Sequence, residues 1–239
     1  KRREQFIKRF TMPIKVIAFD ADDTLWVNEP YFRDTENKFC SLLEDYLPHH
    51  TILQELFKTE MDNLALYGYG IKGFMLCMIE TALRITNNKL DNAILNHIID
   101  LGKEMLEKPI ELLDGVETVL QELKGKYKLV VATKGDLLDQ ERKLKKSGIE
   151  HYFHHIEIMS DKQEADFTKL IKHLDVEPGE FLMLGNSLKS DVLPVLAIGG
   201  HGVHIPYHIT WEHEKTEVQI DDPNFKQIEN IKDILPYLL

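Results

Sequence analysis

Short β-branched runs that stop abruptly on polar residues constrain this chain more than any other feature. Ile14–Phe19 stops on Asp20, Lys128–Thr133 runs into Lys134-Gly135, Phe181–Leu184 stops on Gly185-Asn186, and Gly202–Ile205 forms a shorter run. His155–Met159 is a weaker run of the same kind, ending at Ser160-Asp161-Lys162. Helical patterns separate the later runs, at 136–147, 161–174 and 189–198. Strand–helix alternation of this sort predicts a mostly parallel sheet covered on both faces. The first run stands apart from the rest. Between it and the next, residues 31–108 show only helical periodicity. Phe32, Phe39, Leu42, Leu43 and Tyr46 share one face, then Ile52, Leu53, Leu56, Phe57, Met61 and Leu64 share another. A third stretch, Phe74–Ile85, follows the Gly68-Tyr69-Gly70 break, and a fourth carries Ile94, Leu95, Ile98, Ile99, Met105 and Leu106. The predicted fold is α/β: a doubly wound, Rossmann-like parallel core at 12–27 and 110–239, with four inserted helices at 28–109. Asp114 and Glu117 have capping-box spacing for a helix running to Lys124, and Asn224–Leu235 reads as a closing helix.

Composition agrees with a folded enzyme-sized chain. Of 239 residues, 43% are hydrophobic, enough for one large core or a core plus a smaller inserted one. Forty acidic residues against 29 basic ones give a net charge of −11, which opposes nonspecific binding to nucleic acid or an anionic membrane. No apolar run approaches the roughly 18–20 residues that span a bilayer. Two cysteines, Cys40 and Cys77, make no disulfide framework, so a reducing, cytoplasmic setting is expected. Residues 1–11 read as a basic extension, with Met12 as a possible natural start.

In an open parallel sheet, ligands bind beyond the carboxyl ends of the strands. The residues there are Asp20-Ala21-Asp22-Asp23-Thr24, Thr133-Lys134-Gly135, Ser160-Asp161-Lys162, and Gly185-Asn186-Ser187 with Asp191 beyond. Carboxylates, a hydroxyl and a lysine are what a phosphoryl group bound with a divalent cation requires. Hard oxygens hold Mg²⁺, while Lys and Thr hold phosphate oxygens.

Asp20-x-Asp22-x-Thr24 after a hydrophobic strand, then Thr133, Lys162 and Asn186…Asp191 in that order, resembles the haloacid dehalogenase superfamily. The resemblance covers residues 14 to about 205, and the helical insertion resembles that family's four-helix cap. Asp23 stands where relatives more often have Gly, Lys134 where Asn is common, and Asn186 where many have an acid. The resemblance implies that Asp20 is a nucleophile and Asp22 a general acid and base. It implies that Thr133, Lys134 and Lys162 bind phosphate. It also implies that Mg²⁺ is held by Asp20, Asp22 through its backbone carbonyl, Asp191, and Asn186 directly or through a water. Dehalogenases of the superfamily lack the second Asp, so Asp22 favours phosphoester hydrolysis over carbon–halogen cleavage. The implied function is Mg²⁺-dependent hydrolysis of a small phosphorylated metabolite through an aspartyl-phosphate, by a monomer or homodimer. The alternatives are a phosphomutase, another hydrolase of the same fold, or a non-catalytic phosphate-ligand-binding protein.

Some residues invite other readings. Lys134 and Lys169 rival Lys162 as the phosphate lysine. Trp26, at the exit toward the insertion, and Lys72, in a glycine-rich break between helices, are expected to touch substrate. His151, His154 and His155, with His201, His204 and His208, invite a zinc site, but no Cys lies near them in sequence and a structural reading is preferred.

Overall fold

The computed structural model describes residue 10 and residues 13–239. The basic extension and the Met12 start lie outside the described residues, apart from Phe10. Six strands form one sheet in the order β3-β2-β1-β4-β5-β6. They are β1 (Val16–Phe19), β2 (Lys128–Lys134), β3 (His155–Met159), β4 (Phe181–Gly185), β5 (His201–His204) and β6 (Phe225–Gln227). Pairing is parallel from β2 through β1, β4 and β5 to β6. The order reverses beside β1, so the crevice of a doubly wound sheet opens there.

Helices α1 (Glu29–Leu43), α2 (His49–Tyr67), α3 (Ile71–Ile85) and α4 (Asn92–Glu107) occupy the stretch that carries helical periodicity alone. The helices that follow are α5 (Val116–Leu123), α6 (Leu137–Ser147), α7 (Glu164–His173), α8 (Leu193–Ala197) and α9 (Leu235–Leu238). The chain divides into two compact units. One takes the residues up to Val27 with Glu111–Thr133 and Ser147–Leu239, and the other takes Asn28–Ile110 with Lys134–Lys146.

In the sheet unit, period-two alternation sorts the core. Val16 and Ala18 of β1, Val130 and Ala132 of β2, and Phe181 and Met183 of β4 turn one face toward Phe167, Leu170 and Ile171 of α7. Ile17, Phe19, Leu129, Val131, Leu182 and Leu184 are equally buried. Strands buried on both faces read as continuous apolar runs, which is how the sequence showed them. The two linkers of the insertion pair with each other. Val27 N–H donates to the Glu111 carbonyl at 2.9 Å, and Leu113 N–H to the Leu25 carbonyl at 3.0 Å.

Two expected details differ. Helix α5 begins at Val116 behind Gly115 in the left-handed region, without a side-chain cap. The Asp114 carboxylate is drawn instead to Lys232 at 2.8 Å. The expected closing helix from Asn224 is the edge strand β6, then a 3₁₀ turn at Ile231–Ile234 and the short α9. Ile231 and Ile234 are buried three residues apart, a spacing that a 3₁₀ turn serves as well as an α-helix.

The helical unit has its own core of Phe39, Leu43, Ile52, Leu56, Phe74, Met78 and Ile98. Its polar seam contains an unusual acid. Burial pushes the Glu60 carboxyl up to about 8, with help from Glu36 and Glu29 and against the pull of Arg33. Arg33 itself pairs with Glu29 at 3.2 Å and Glu36 at 3.0 Å. Burial, reinforced by Glu60, in turn raises the Cys77 thiol to about 11. A carboxyl that is harder to ionise in the folded state than in the unfolded one stabilises fully below the ordinary 4.5. That contribution is lost as pH rises through about 8. Glu60→Gln should therefore melt with wild type at pH 4.5 and gain about 3 °C or more by pH 9, followed by thermal unfolding across that range. A constant difference at all pH values would contradict the assignment.

Candidate active site

Parallel register sets the site. Phe19 lies opposite Val131 on one side and Leu184 on the other. Asp20, Thr133 and the Gly185-Asn186 pair therefore emerge together at one carboxyl edge, at the switch point beside β1. Asp20 keeps its place in the sheet by donating its N–H to the Leu184 carbonyl at 2.9 Å. The chain then turns sharply, with Leu25 N–H on the Ala21 carbonyl at 2.8 Å and Asp23 N–H on the Trp26 carbonyl at 2.7 Å. Asp23 has φ 61°, a left-handed conformation that glycine adopts freely and Asp tolerates. That explains why a residue other than Gly is accommodated at this position.

A buried ion triad occupies the centre. The Lys162 ammonium donates to Asp20 Oδ1 at 2.5 Å and to Asp191 Oδ1 at 2.6 Å. Lys162 and Asp191 are almost wholly enclosed. Burial alone would lower the Lys162 pKa, but the Asp191 and Asp20 carboxylates outweigh it and hold the ammonium protonated, above its usual range. Burial, reinforced by Asp191, pushes the Asp20 carboxyl up to about 7, with Lys162 pulling against it. Three sequence-distant strand ends thus meet on one nitrogen. Of the three lysines weighed for phosphate, Lys162 is the one beside Asp20.

Thr24 ties the first turn to the fourth. Its hydroxyl donates to Asp20 Oδ2 at 3.1 Å and accepts from the Asn186 N–H at 3.1 Å. The amide orientation that satisfies both ends of Asn186 donates its nitrogen to Asp20 Oδ2 at 3.1 Å and to the Asp22 carbonyl at 3.3 Å. Asp191 is held on its other oxygen by Ser187 N–H at 3.0 Å. Gly185 lets it lie close, since a Cβ there would stand 2.1 Å from Asp191 Oδ2.

Trp26 is 1% exposed, and its indole N–H donates to Asp22 Oδ1 at 2.8 Å. Its surface is spent on packing and on holding Asp22. Thr133 is buried at the end of β2. Within the helical unit, Lys72 is paired with Asp136 at 3.0 and 3.1 Å, and the Lys134 ammonium lies 4.0 Å above the Tyr69 ring. Both cations therefore have named partners there. The histidines are engaged separately: His155 with Glu157, His201 with the Gly179 carbonyl, and His204 with the Asn186 carbonyl.

Among the described residues, no three His, Cys, Asp or Glu side chains are arranged as a metal cage. The donor set nevertheless fits a hard divalent ion. The Asp20 carboxylate and the Asp22 carbonyl converge on one amide nitrogen, and Asp20 and Asp191 converge on one ammonium. Mg²⁺ is commonly held by one or two carboxylates with water completing its shell.

The sequence gives no sign of Ser190 or Glu214 at the site. Ser187 and Ser190 hydroxyls both donate to Glu214, at 2.5 and 2.6 Å. Nothing in local spacing links an acid at 214 to a turn at 187–191.

The family model for haloacid dehalogenase-like hydrolases matches residues 14–199. The chain belongs to that family. It is an enzyme of the hydrolase class. A crystal structure of a haloacid dehalogenase-like family hydrolase from Xanthomonas campestris is 36% identical, with TM-score 0.83, over 94% of this chain and 90% of that one. N-acylneuraminate-9-phosphatase of Mus musculus is 25% identical over 190 residues, covering 75% of this chain and 77% of its own. Glyceraldehyde 3-phosphate phosphatase of Methanopyrus kandleri is 26% identical over 185 residues, covering 75% and 78%.

The triad makes a stability prediction for this hydrolase. Removing the central cation leaves two carboxylates buried without a counter-charge. Lys162→Met should lower the unfolding free energy by about 3 kcal/mol or more, read by urea denaturation in the presence of a chelator. An unchanged midpoint would show that the triad carries no net electrostatic weight.

Proposed function

We propose that this hydrolase cleaves a small-molecule phosphomonoester, with Mg²⁺, through an aspartyl-phosphate on Asp20. The observation that carries the reading is Asp20 at the switch point, paired with Lys162, with a second carboxylate two residues on. A halide needs no proton to leave, whereas an alkoxide does, and Asp22, one oxygen of which accepts from the Trp26 indole, would supply it. The two relatives named as phosphatases each act, by name, on a small phosphorylated compound, which favours the same class here.

In the proposed first step an Asp20 carboxylate oxygen attacks phosphorus, and the bond from phosphorus to the ester oxygen breaks. Asp22 gives its proton to that departing oxygen. In the second step Asp22 takes a proton from water as the water oxygen attacks phosphorus. The acyl-phosphate bond then breaks, and inorganic phosphate and the Asp20 carboxylate are regenerated. Lys162 and the Thr133 hydroxyl hold the equatorial oxygens, where the charge is spread. Asp20, the Asp22 carbonyl, Asp191 and Asn186 would hold Mg²⁺, whose charge offsets the repulsion between a carboxylate and an anionic ester.

With p-nitrophenyl phosphate and Mg²⁺, Asp20→Asn should lose about 10³-fold or more in kcat while remaining folded by circular dichroism. Asp22→Ala should lose about 10²- to 10⁴-fold. Chelation should remove activity and added Mg²⁺ restore it. Substantial turnover by Asp20→Asn would exclude the covalent route, and product carrying the phosphate on a second hydroxyl would show transfer in place of hydrolysis.

A further inference from the structure

Between β5 and β6 runs a connection of residues 205–224 whose regular structure is one 3₁₀ turn at Glu212–Glu214. Connections this long are uncommon in compact domains and usually have a task. This one reaches both ends of the candidate site. Tyr207 sits near enough to the Asp23 and Glu111 carboxylates for them, after burial, to raise its phenol. Farther along, Glu214 Oε2 accepts from two hydroxyls at once, Ser187 Oγ at 2.5 Å and Ser190 Oγ at 2.6 Å. Lys189 anchors the same turn by donating to the His213 carbonyl at 2.8 Å.

Those two serines bracket the Asp191 turn. Ser187 Oγ accepts from the Ser190 N–H at 3.0 Å, and the Ser187 N–H donates to Asp191 Oδ2 at 3.0 Å. The Asp191 N–H returns to the Ser187 carbonyl at 2.9 Å. A hydroxyl that donates to Glu214 keeps its lone pairs for the Ser190 N–H, so the carboxylate sets the direction of the whole network. We propose that Glu214 is a positioning residue, which holds the 187–191 turn so that Asp191 is pre-aimed at the divalent cation. The proposal rests on the Mg²⁺-dependent reading of the site. Groups that orient a metal ligand through hydrogen bonds are typically worth about 10- to 100-fold in metal affinity.

The test is Mg²⁺ binding to the substrate-free protein by calorimetry, which needs no turnover. Glu214→Ala should raise the Kd for Mg²⁺ by about 10-fold or more. Glu214→Gln keeps an acceptor for the hydroxyls and should recover much of that loss. In turnover, the Glu214→Ala defect should shrink as Mg²⁺ is raised, which general loosening of the fold would not produce. Should Glu214→Ala fail to fold, Ser190→Ala removes one of the two hydroxyl bonds and should still raise the Kd by about 3-fold or more. Wild-type affinity in the folded variants overturns the role of Glu214 and leaves the phosphatase reading standing. If wild type itself binds no Mg²⁺, the Mg²⁺ reading and this inference fall together.

Discussion

One ammonium group, Lys162 Nζ, organises the carboxyl edge of the sheet beside β1. It sits between two carboxylates from separate strand ends, Asp20 after β1 and Asp191 beyond β4. Either acid alone at that depth would be costly, and together they would repel. The lysine offsets both terms, so the three groups are stable only as a set. Their geometry depends in turn on parallel register, because a one-residue slip in β1 would send Asp20 to the other face of the sheet. The sheet core and the site are therefore coupled: the apolar pairing that buries Val16 through Phe19 is what presents Asp20 to Lys162.

Around that triad the backbone is shaped to let carboxylates approach. Gly185 leaves the space that Asp191 fills, and Asp23 takes the left-handed turn that bends the chain back toward Trp26. Trp26 closes the turn from inside and fixes one oxygen of Asp22. Thr24 and Asn186 bond across from the first strand end to the fourth. Polar groups in such a place are expensive when unmatched, which is why nearly every one has a partner supplied by a different segment.

Much of the architecture was legible from local pattern. The four inserted helices showed in i, i+3, i+4 spacing, and the buried strands in β-branched runs cut off by polar residues, since both periods follow from backbone geometry. Where two structures share a spacing, pattern failed. Ile228, Ile231 and Ile234 fit a helix on paper, yet the segment is an edge strand followed by a 3₁₀ turn. Asp114 looked like a cap until Lys232, far along the chain, proved the stronger partner. Lys72 and Lys134 were visible as cations in the sequence, while Asp136 and the Tyr69 ring as their neighbours were not.

The sequence by itself determined the layering of the fold, the family and the short list of strand-end residues, because these depend on local spacing and on the order of motifs along the chain. Only the tertiary structure decided which of those residues meet. It put Lys162 on Asp20 and Asp191 and turned Trp26 inward onto Asp22. It also brought Glu214 to the serines of the 187–191 turn. Each of those contacts joins groups that are distant in sequence or depends on how the chain turns in three dimensions. Hydrogen bonds of that kind are settled by register and packing, which no local pattern records.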